Sequence, residues 1–311
     1  MFSQFSRHSI LTTLTVSVLF SSVTQAEDSV TFKYNPPDGL EYEVKLDTVQ
    51  KKEVKAPGQS RSLTEEMRLR KSINVDKTAS GWSEHHEVTD LNLFRNGQKV
   101  ANPLISATLR RSLEYKINGE GKIQDVVGYE GIIDELRGQI PDNVLNKISR
   151  AITPERLKSK EMTEWNGRFG GLAGKTIKIG SEESKVSPFQ LPTGDVVEFE
   201  TTTRFVGWED CDGKACFRIE QEYSGDLEAA AEAIMEKAHK MTEGLRDDED
   251  NGAEEVEAMI EGKTEILLDP ETLLPYWEEQ NRFVRMVANI RGQGVVPVEQ
   301  TSRKTMKYLY E

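Results

Sequence analysis

Long runs of strictly alternating apolar and polar residues set the terms for this chain. Leu40, Tyr42, Val44 and Leu46 take every second position, with Glu41, Glu43, Lys45 and Asp47 between them. Met67, Leu69, Ile73 and Val75 repeat the pattern against Arg68, Arg70 and Asn74. A period of two marks a strand with one face buried and one in water, the usual state of a strand in an antiparallel sheet. Trp82 to Phe94 reads as a third, less regular strand. Asn35–Gly39, Lys77–Gly81 and Asn96–Gly97 are turns, and Ala56-Pro57-Gly58 ends the first long strand.

The stretch from Leu113 to Arg137 predicts a strand, a hairpin turn at Asn118–Gly119, a second strand, a glycine-framed corner at Gly128–Gly131 and the start of a helix. Asn-Gly between alternating runs points to a type I′ turn, because both of its central residues need positive φ. Only strands are predicted before this stretch, and helices follow it. Pro141 opens one helix, and Val144, Leu145, Ile148, Ala151 and Ile152 keep helical spacing. Thr153-Pro154-Glu155 supplies a cap and a first-turn proline for the next. Trp165 to Gly174 is glycine-rich and reads as a loop.

Strands return at Thr176–Ile179, Val186–Phe189, Val197–Phe205 and Phe217–Tyr223. Asp226 then caps an amphipathic helix carrying Leu227, Ala230, Ile234, Met241 and Leu245, and Asp247–Glu257 is an acidic loop. Thr264, Ile266 and Leu268 lead to a turn at Asp269–Thr272, with Leu273–Val287 and Val298–Tyr310 as the last strands. The pattern predicts an α+β protein: a large, curved, mainly antiparallel β-sheet, half-barrel-like, with helices packed on its concave face.

Residues 1–26 read as a secretory signal peptide. A weakly basic start precedes an apolar run at Ile10–Phe20 and a small-residue cleavage site ending at Ala26. Residues 27–311 are then one exported domain, periplasmic or secreted. No later apolar run approaches the roughly 20 residues of a spanning helix, so no membrane span is expected. Loss of Arg7 with the signal moves the formal charge from -13 to -14. So acidic a chain is a poor partner for nucleic acid or anionic membrane surfaces, which need clustered Lys and Arg.

The two cysteines, Cys211 and Cys216, bracket a hairpin tip, and in an oxidising compartment a disulfide is the natural reading. A redox site would show Cys-x-x-Cys, and a zinc site needs about four ligands. Gly170–Thr176 approaches a phosphate-binding loop, but Phe169 stands where its first glycine belongs. Asp247, Glu249, Asn251 and Gly252 approach a calcium loop, but Ala258 stands at the position of the bidentate Glu. A solvated acidic loop, open to weak calcium binding, is the expectation there. His85 and His86 are consecutive on a strand and point to opposite faces, so they cannot share a metal. His239 falls on the exposed side of the late helix. Neither Gly-x-Ser-x-Gly nor His-Glu-x-x-His occurs. No catalytic residue, metal ligand or cofactor is assigned, and the chain is expected not to be an enzyme.

Phe32–Tyr42, the Leu113–Tyr129 hairpin with its Val-Val-Gly-Tyr corner, and Asp269–Pro275 resemble an uncharacterised family of exported bacterial proteins. The long meander resembles the curved sheets of periplasmic lipoprotein carriers of the LolA and LolB kind. That resemblance implies a sheet wrapped around a helical plug, with an apolar cavity. The expectation is a non-catalytic exported binding protein for a lipid or other apolar ligand, held by Tyr42, Val44, Leu69 and Phe199. The alternative is a structural or protein-interaction module of the cell envelope, with a filled core and an envelope protein as partner.

Overall fold

A computed structural model describes residues 28–56, 59–149, 152–190, 196–227, 253–290 and 294–310. The chain starts with β1 (Ser29–Thr31), which later pairs with β8 (Thr176–Lys178) in a two-stranded ribbon. Its first half then supplies β2 (Leu40–Ala56), β3 (Gln59–Thr78), β4 (Gly81–Arg95), the short β5 (Gln98–Val100), β6 (Leu113–Asn118) and β7 (Ile123–Val127). The second half supplies β9 (Glu182–Gln190), β10 (Val196–Cys211), β11 (Lys214–Asp226), β12 (Ala253–Leu268), β13 (Pro275–Ile290) and β14 (Gly294–Tyr310). These strands form one 12-stranded antiparallel sheet in the order β7-β6-β4-β3-β2-β14-β13-β12-β11-β10-β9, with β5 added beside β4. The sheet is curved but not closed. With its helices it is the α+β architecture that the alternation predicts.

One face of the sheet carries the core. Val44, Ile73, Val75, Phe217, Ile219 and Leu268 are buried there, at positions whose parity the register fixes. Phe32 and Tyr34, just after β1, lie across this face. Phe32 meets Phe217 edge-on at 5.5 Å, and Tyr34 meets Trp82 at 5.2 Å. Four helices pack on this side: α1 (Pro103–Leu109), α2 (Ile132–Leu136), α3 (Asp142–Ile148) and α4 (Pro154–Arg168). Thr153 caps α4 by accepting from the Arg156 amide, as its sequence predicts.

Three local expectations are corrected. The strands do not run unbroken to Leu113, because α1 intervenes, with Asn102 accepting from the Ile105 amide and Pro103 opening the first turn. The turn after β6 is not a two-residue I′ turn. Its positive φ falls on Gly121, and the Asn118 side chain accepts from the Glu120 and Lys122 amides, which stabilises a wider loop. Trp165 does not begin a loop. Helix α4 runs on to Arg168, and Trp165 and Phe169 pack into the core at 5.3 Å, a burial that outweighs the poor helix propensity of Gly167. The helix expected after Asp226 lies, beyond Leu227, outside the described residues, as do the signal peptide and residues 247–252 of the acidic loop. Within that expected loop, β12 already begins at Ala253.

The Cys211–Cys216 disulfide is formed at the β10–β11 tip, where Asp212 and Gly213 both take positive φ. Closing so short a loop stabilises by about 2 kcal/mol in the chain-entropy model.

Gly81, at the start of β4, has φ +149°, and a Cβ there would run into the Ile117 carbonyl oxygen of β6. Gly97, at φ +76°, faces open space. Gly81→Ala is expected to cost about 3 kcal/mol or more, from strain plus the backbone clash, and Gly97→Ala about 1 kcal/mol. Urea unfolding of both variants checks this; equal losses would contradict the close approach at Gly81.

Candidate functional site

The register places Tyr42, Val44, Leu69 and Phe199 on the same face of the sheet, the one that bears the helices. They do not meet in one cavity. Tyr42 lines a small internal space, and Val44 is fully buried in the main core. Leu69 sits in a second cluster with Leu91 and Leu93. Phe199 is half-buried on β10, separated from β2 by β14, β13, β12 and β11, and pairs across from Gly225.

An apolar recess of about 470 Å³ opens beside the Leu69 cluster. Met67, Leu93, Val100 and Ile105 line it, from β3, β4, β5 and α1. Strand β5 turns back along β4 and leads through Asn102 into α1, whose Ile105 and Leu109 pack against the Leu69 cluster. The polar side of the recess includes Arg95, whose Nε and Nη2 donate to Glu65 Oε1 at 3.1 and 2.8 Å.

A polar nest lies on the same face under α4. Strand β4 turns Trp82, Glu84 and His86 inward, since alternate residues share a face. Glu84 is 1 % exposed, and Tyr34 Oη donates to its Oε1 at 2.6 Å. His86 Nε2 lies 2.8 Å from Glu84 Oε2. Burial, and then the nearby Lys71, pushes His86 down to about 4, so near neutrality the ring is uncharged. A neutral imidazole that donates from Nε2 to Glu84 leaves its Nδ1 lone pair facing Lys71 Nζ, 3.4 Å away. Burial also pulls Lys71 down to about 8, against the raising effect of Glu84 and Glu161. Tyr115 stacks on His86 at 4.2 Å and donates to Glu161 Oε2 at 2.8 Å. Tyr129 donates to Glu161 Oε1 at 3.0 Å, and both phenols are pushed up, chiefly by burial. Arg168 pairs with Glu278, which is 4 % exposed. Lys71, Glu84, His86, Tyr115, Glu161 and Arg168 line a space of about 110 Å³.

Sequence reasoning missed this nest. The available signal was parity: Lys71 falls between Leu69 and Ile73, and Glu84 between Trp82 and His86, on positions the alternation turns inward. His85 is exposed and His86 buried, on opposite faces as the strand period requires. His239 and residues 247–252 lie outside the described residues.

A third concavity is an open trough of about 1070 Å³ on the other face. It crosses β2, β14, β13, β12, β11 and β10, from Val49 and Lys51 to Arg204 and reaches Glu182 of β9, with half-buried Phe283 near its middle. Its walls carry ion pairs, among them Arg204–Glu182 at 3.1 Å and Lys263–Glu222 at 3.9 Å.

No family model matches this chain, and no curated protein matches it. Among solved structures it is similar to a domain described as an outer membrane lipoprotein-sorting protein from Vibrio parahaemolyticus, at 9% identity and TM-score 0.18, covering 87% of this chain and 85% of that one. It is also similar to an outer membrane channel from Pseudomonas putida F1, at 8% identity and TM-score 0.20, covering 89% and 97%. A DUF1329 family protein from Desulfovibrio piger matches at 8% identity and TM-score 0.15, covering 87% and 84%. These are distant resemblances that define no family.

His86 gives the nest a pH signature. Its folded-state pKa of about 4 lies below the ordinary 6.5, so the unfolded chain binds more protons between those values. The part of the stability that depends on a neutral His86 is therefore full above pH 6.5 and lost as pH falls toward 4. The loss is on the order of 3 kcal/mol. His86→Gln, which keeps a neutral polar group beside Glu84 and Lys71, is expected to flatten that part of the profile while leaving the carboxylate losses at lower pH. Thermal melts of both proteins from pH 7 to pH 4 decide it; parallel profiles would mean that His86 is protonated in the fold.

Proposed function

We propose that this chain is a non-catalytic exported binding protein for a lipid or other apolar ligand. In this reading residues 27–311 form one domain after a leader at 1–26 and act in the periplasm or outside the cell. The observation that carries it is the recess of about 470 Å³ under α1, on the helix-bearing face. That size falls within the range of small-molecule sites, which are concave, mainly apolar and oriented by a few polar groups. Met67, Leu93, Val100 and Ile105 offer the apolar wall, and the Arg95–Glu65 pair offers a polar end for a head group. Each methylene buried there contributes about 0.8 kcal/mol. Of the four residues expected from the sequence, Leu69 stands nearest this role, packing in the cluster beside the recess. No helix among the described residues is long and apolar enough to cross a membrane.

The trough on the opposite face favours the second reading, a protein-interaction module of the envelope. Its open shape and mixed rows of charge suit an extended segment of a partner protein better than a lipid.

Native mass spectrometry of residues 27–311, purified without detergent from an exporting host, tests the first reading. The expected result is a stoichiometric adduct that extracts as a lipid. Ile105→Arg, at a half-buried position on α1, places a charge in the recess and should weaken affinity by about tenfold or more, since 1.4 kcal/mol already corresponds to tenfold. A bare mass, together with no uptake of added fatty acid, would remove the lipid reading and leave the trough for pull-down experiments.

A further inference from the structure

Lys71 is the least explained group in the polar nest. It sits on β3 between Leu69 and Ile73, half-buried and facing inward. Buried lysines ordinarily meet a carboxylate. Here the one hydrogen-bond contact of Nζ among the described residues is His86 Nδ1, at 3.4 Å. The carboxylates that line the same space are engaged elsewhere: Glu84 with Tyr34 and His86, Glu161 with Tyr115 and Tyr129, and Glu164 with Lys160. Lys71 lines the space of about 110 Å³ together with Tyr42, Trp165 and Tyr308. That volume equals about four water molecules' share of the liquid, room for a compound of about four non-hydrogen atoms. Tyr42 donates its hydroxyl proton to no oxygen or nitrogen among the described residues, and the Tyr308 hydroxyl accepts from Arg168 while its own proton points to Met306 Sδ, at 3.8 Å.

We propose that Lys71 is a reactive amine, and that the cavity beside it admits a short-chain aldehyde or ketone, which Lys71 holds as an imine. The neutral amine attacks the carbonyl carbon. A C–N bond forms and the carbonyl π pair moves to oxygen, where the Tyr42 and Tyr308 hydroxyls are the available donors. His86 Nδ1 takes one proton from the amine nitrogen and passes it to the oxygen, giving the carbinolamine, and then carries the second nitrogen proton to the hydroxyl as that group departs. Water leaves as the C=N bond forms, so one amine and one carbonyl compound give one imine and one water. No oxidant, metal or cofactor enters. A desolvated lysine is suited to this chemistry because burial disfavours its charged form. The groups that face Lys71 set the balance: Lys304 of β14 and Arg168 of α4 lower it further, while Glu84 of β4 and Glu161 of α4 oppose them. At pH 7 about one Lys71 in ten is a neutral amine, against about one in three thousand for a lysine at its ordinary value.

The test is reductive trapping on the folded chain, residues 27–311. Limiting propanal and sodium cyanoborohydride at pH 7 are followed by peptide mapping over time. Lys71 is expected to gain a propyl group about tenfold or more faster than the exposed Lys122, with a rate that saturates in propanal, and to lose that advantage in urea. His86→Gln should slow labelling of Lys71 and leave Lys122 unchanged, which a merely structural lysine would not show. Labelling of Lys71 at or below the rate of Lys122 in the folded protein, with equal labelling in urea, would overturn the proposal.

Discussion

The antiparallel pairing of β14 with β2 holds the sheet in one piece. The two halves of the chain each fold back and forth locally, and within the large sheet they pair along this one seam, from Val54–Val298 to Tyr42–Tyr310. Every other pairing within the large sheet joins strands of the same half. The seam is therefore the contact of highest sequence separation in the sheet, and its closure carries the largest entropic cost. The polar nest straddles it: Tyr42, Lys71 and Glu84 come from the first half, Glu278, Lys304 and Tyr308 from the second. A slip of one residue along the seam would turn Tyr308 and Met306 outward and bring Lys307 and Thr305 into the core. Buried polar groups that must find partners across the seam oppose such a slip more sharply than apolar side chains would.

Alternation made the sheet legible, because a strand with one wet face and one dry face repeats every two residues. Leu40–Leu46 and Met67–Val75 show it at full strength, and the four expected ligand residues do share a face for that reason. Parity fixes the face, but not the distance along a strand or the order of strands. Phe199 and Tyr42 thus lie on one face with four strands between them, and the expected common cavity does not form. Helix α1 went unseen although Asn102-Pro103 is a sound cap and first turn, because its seven residues are too few to show a period. Trp165 to Gly174 read as a loop because its glycines outweighed its aromatics. Only the sheet beneath α4 supplies the burial that decides the matter, with Trp165 Nε1 donating to the Gly121 carbonyl and the Ile123 amide donating to Asn166.

The nest was illegible for a related reason. Charged residues at inward positions look like noise in an alternating pattern, and in β4 they made the strand read as irregular. Their partners come from β3, β6, β13, α4 and the segment after β1, so no local window of sequence contains the arrangement.

Such a nest is an inefficient way to stabilise a sheet. Taking charges and phenols out of water costs several kcal/mol, which their mutual attraction offsets only with good geometry, and well-packed apolar residues of similar volume often do as well or better. This face has apolar neighbours at hand: Val44, Ile73 and Val75 are all at most 2 % exposed around Lys71 and Glu84. A Leu or Met at position 71 would continue that surface and would spare the fold the desolvation that Lys71 carries. The carboxylates have a structural account, since each one gathers donors from separate elements and ties them together. Among the described residues, Lys71 ties nothing together beyond a long contact to His86. Its cost is best understood as paired with the space in front of it, where an amine, a neutral imidazole and two hydroxyls converge on a volume that fits a small molecule.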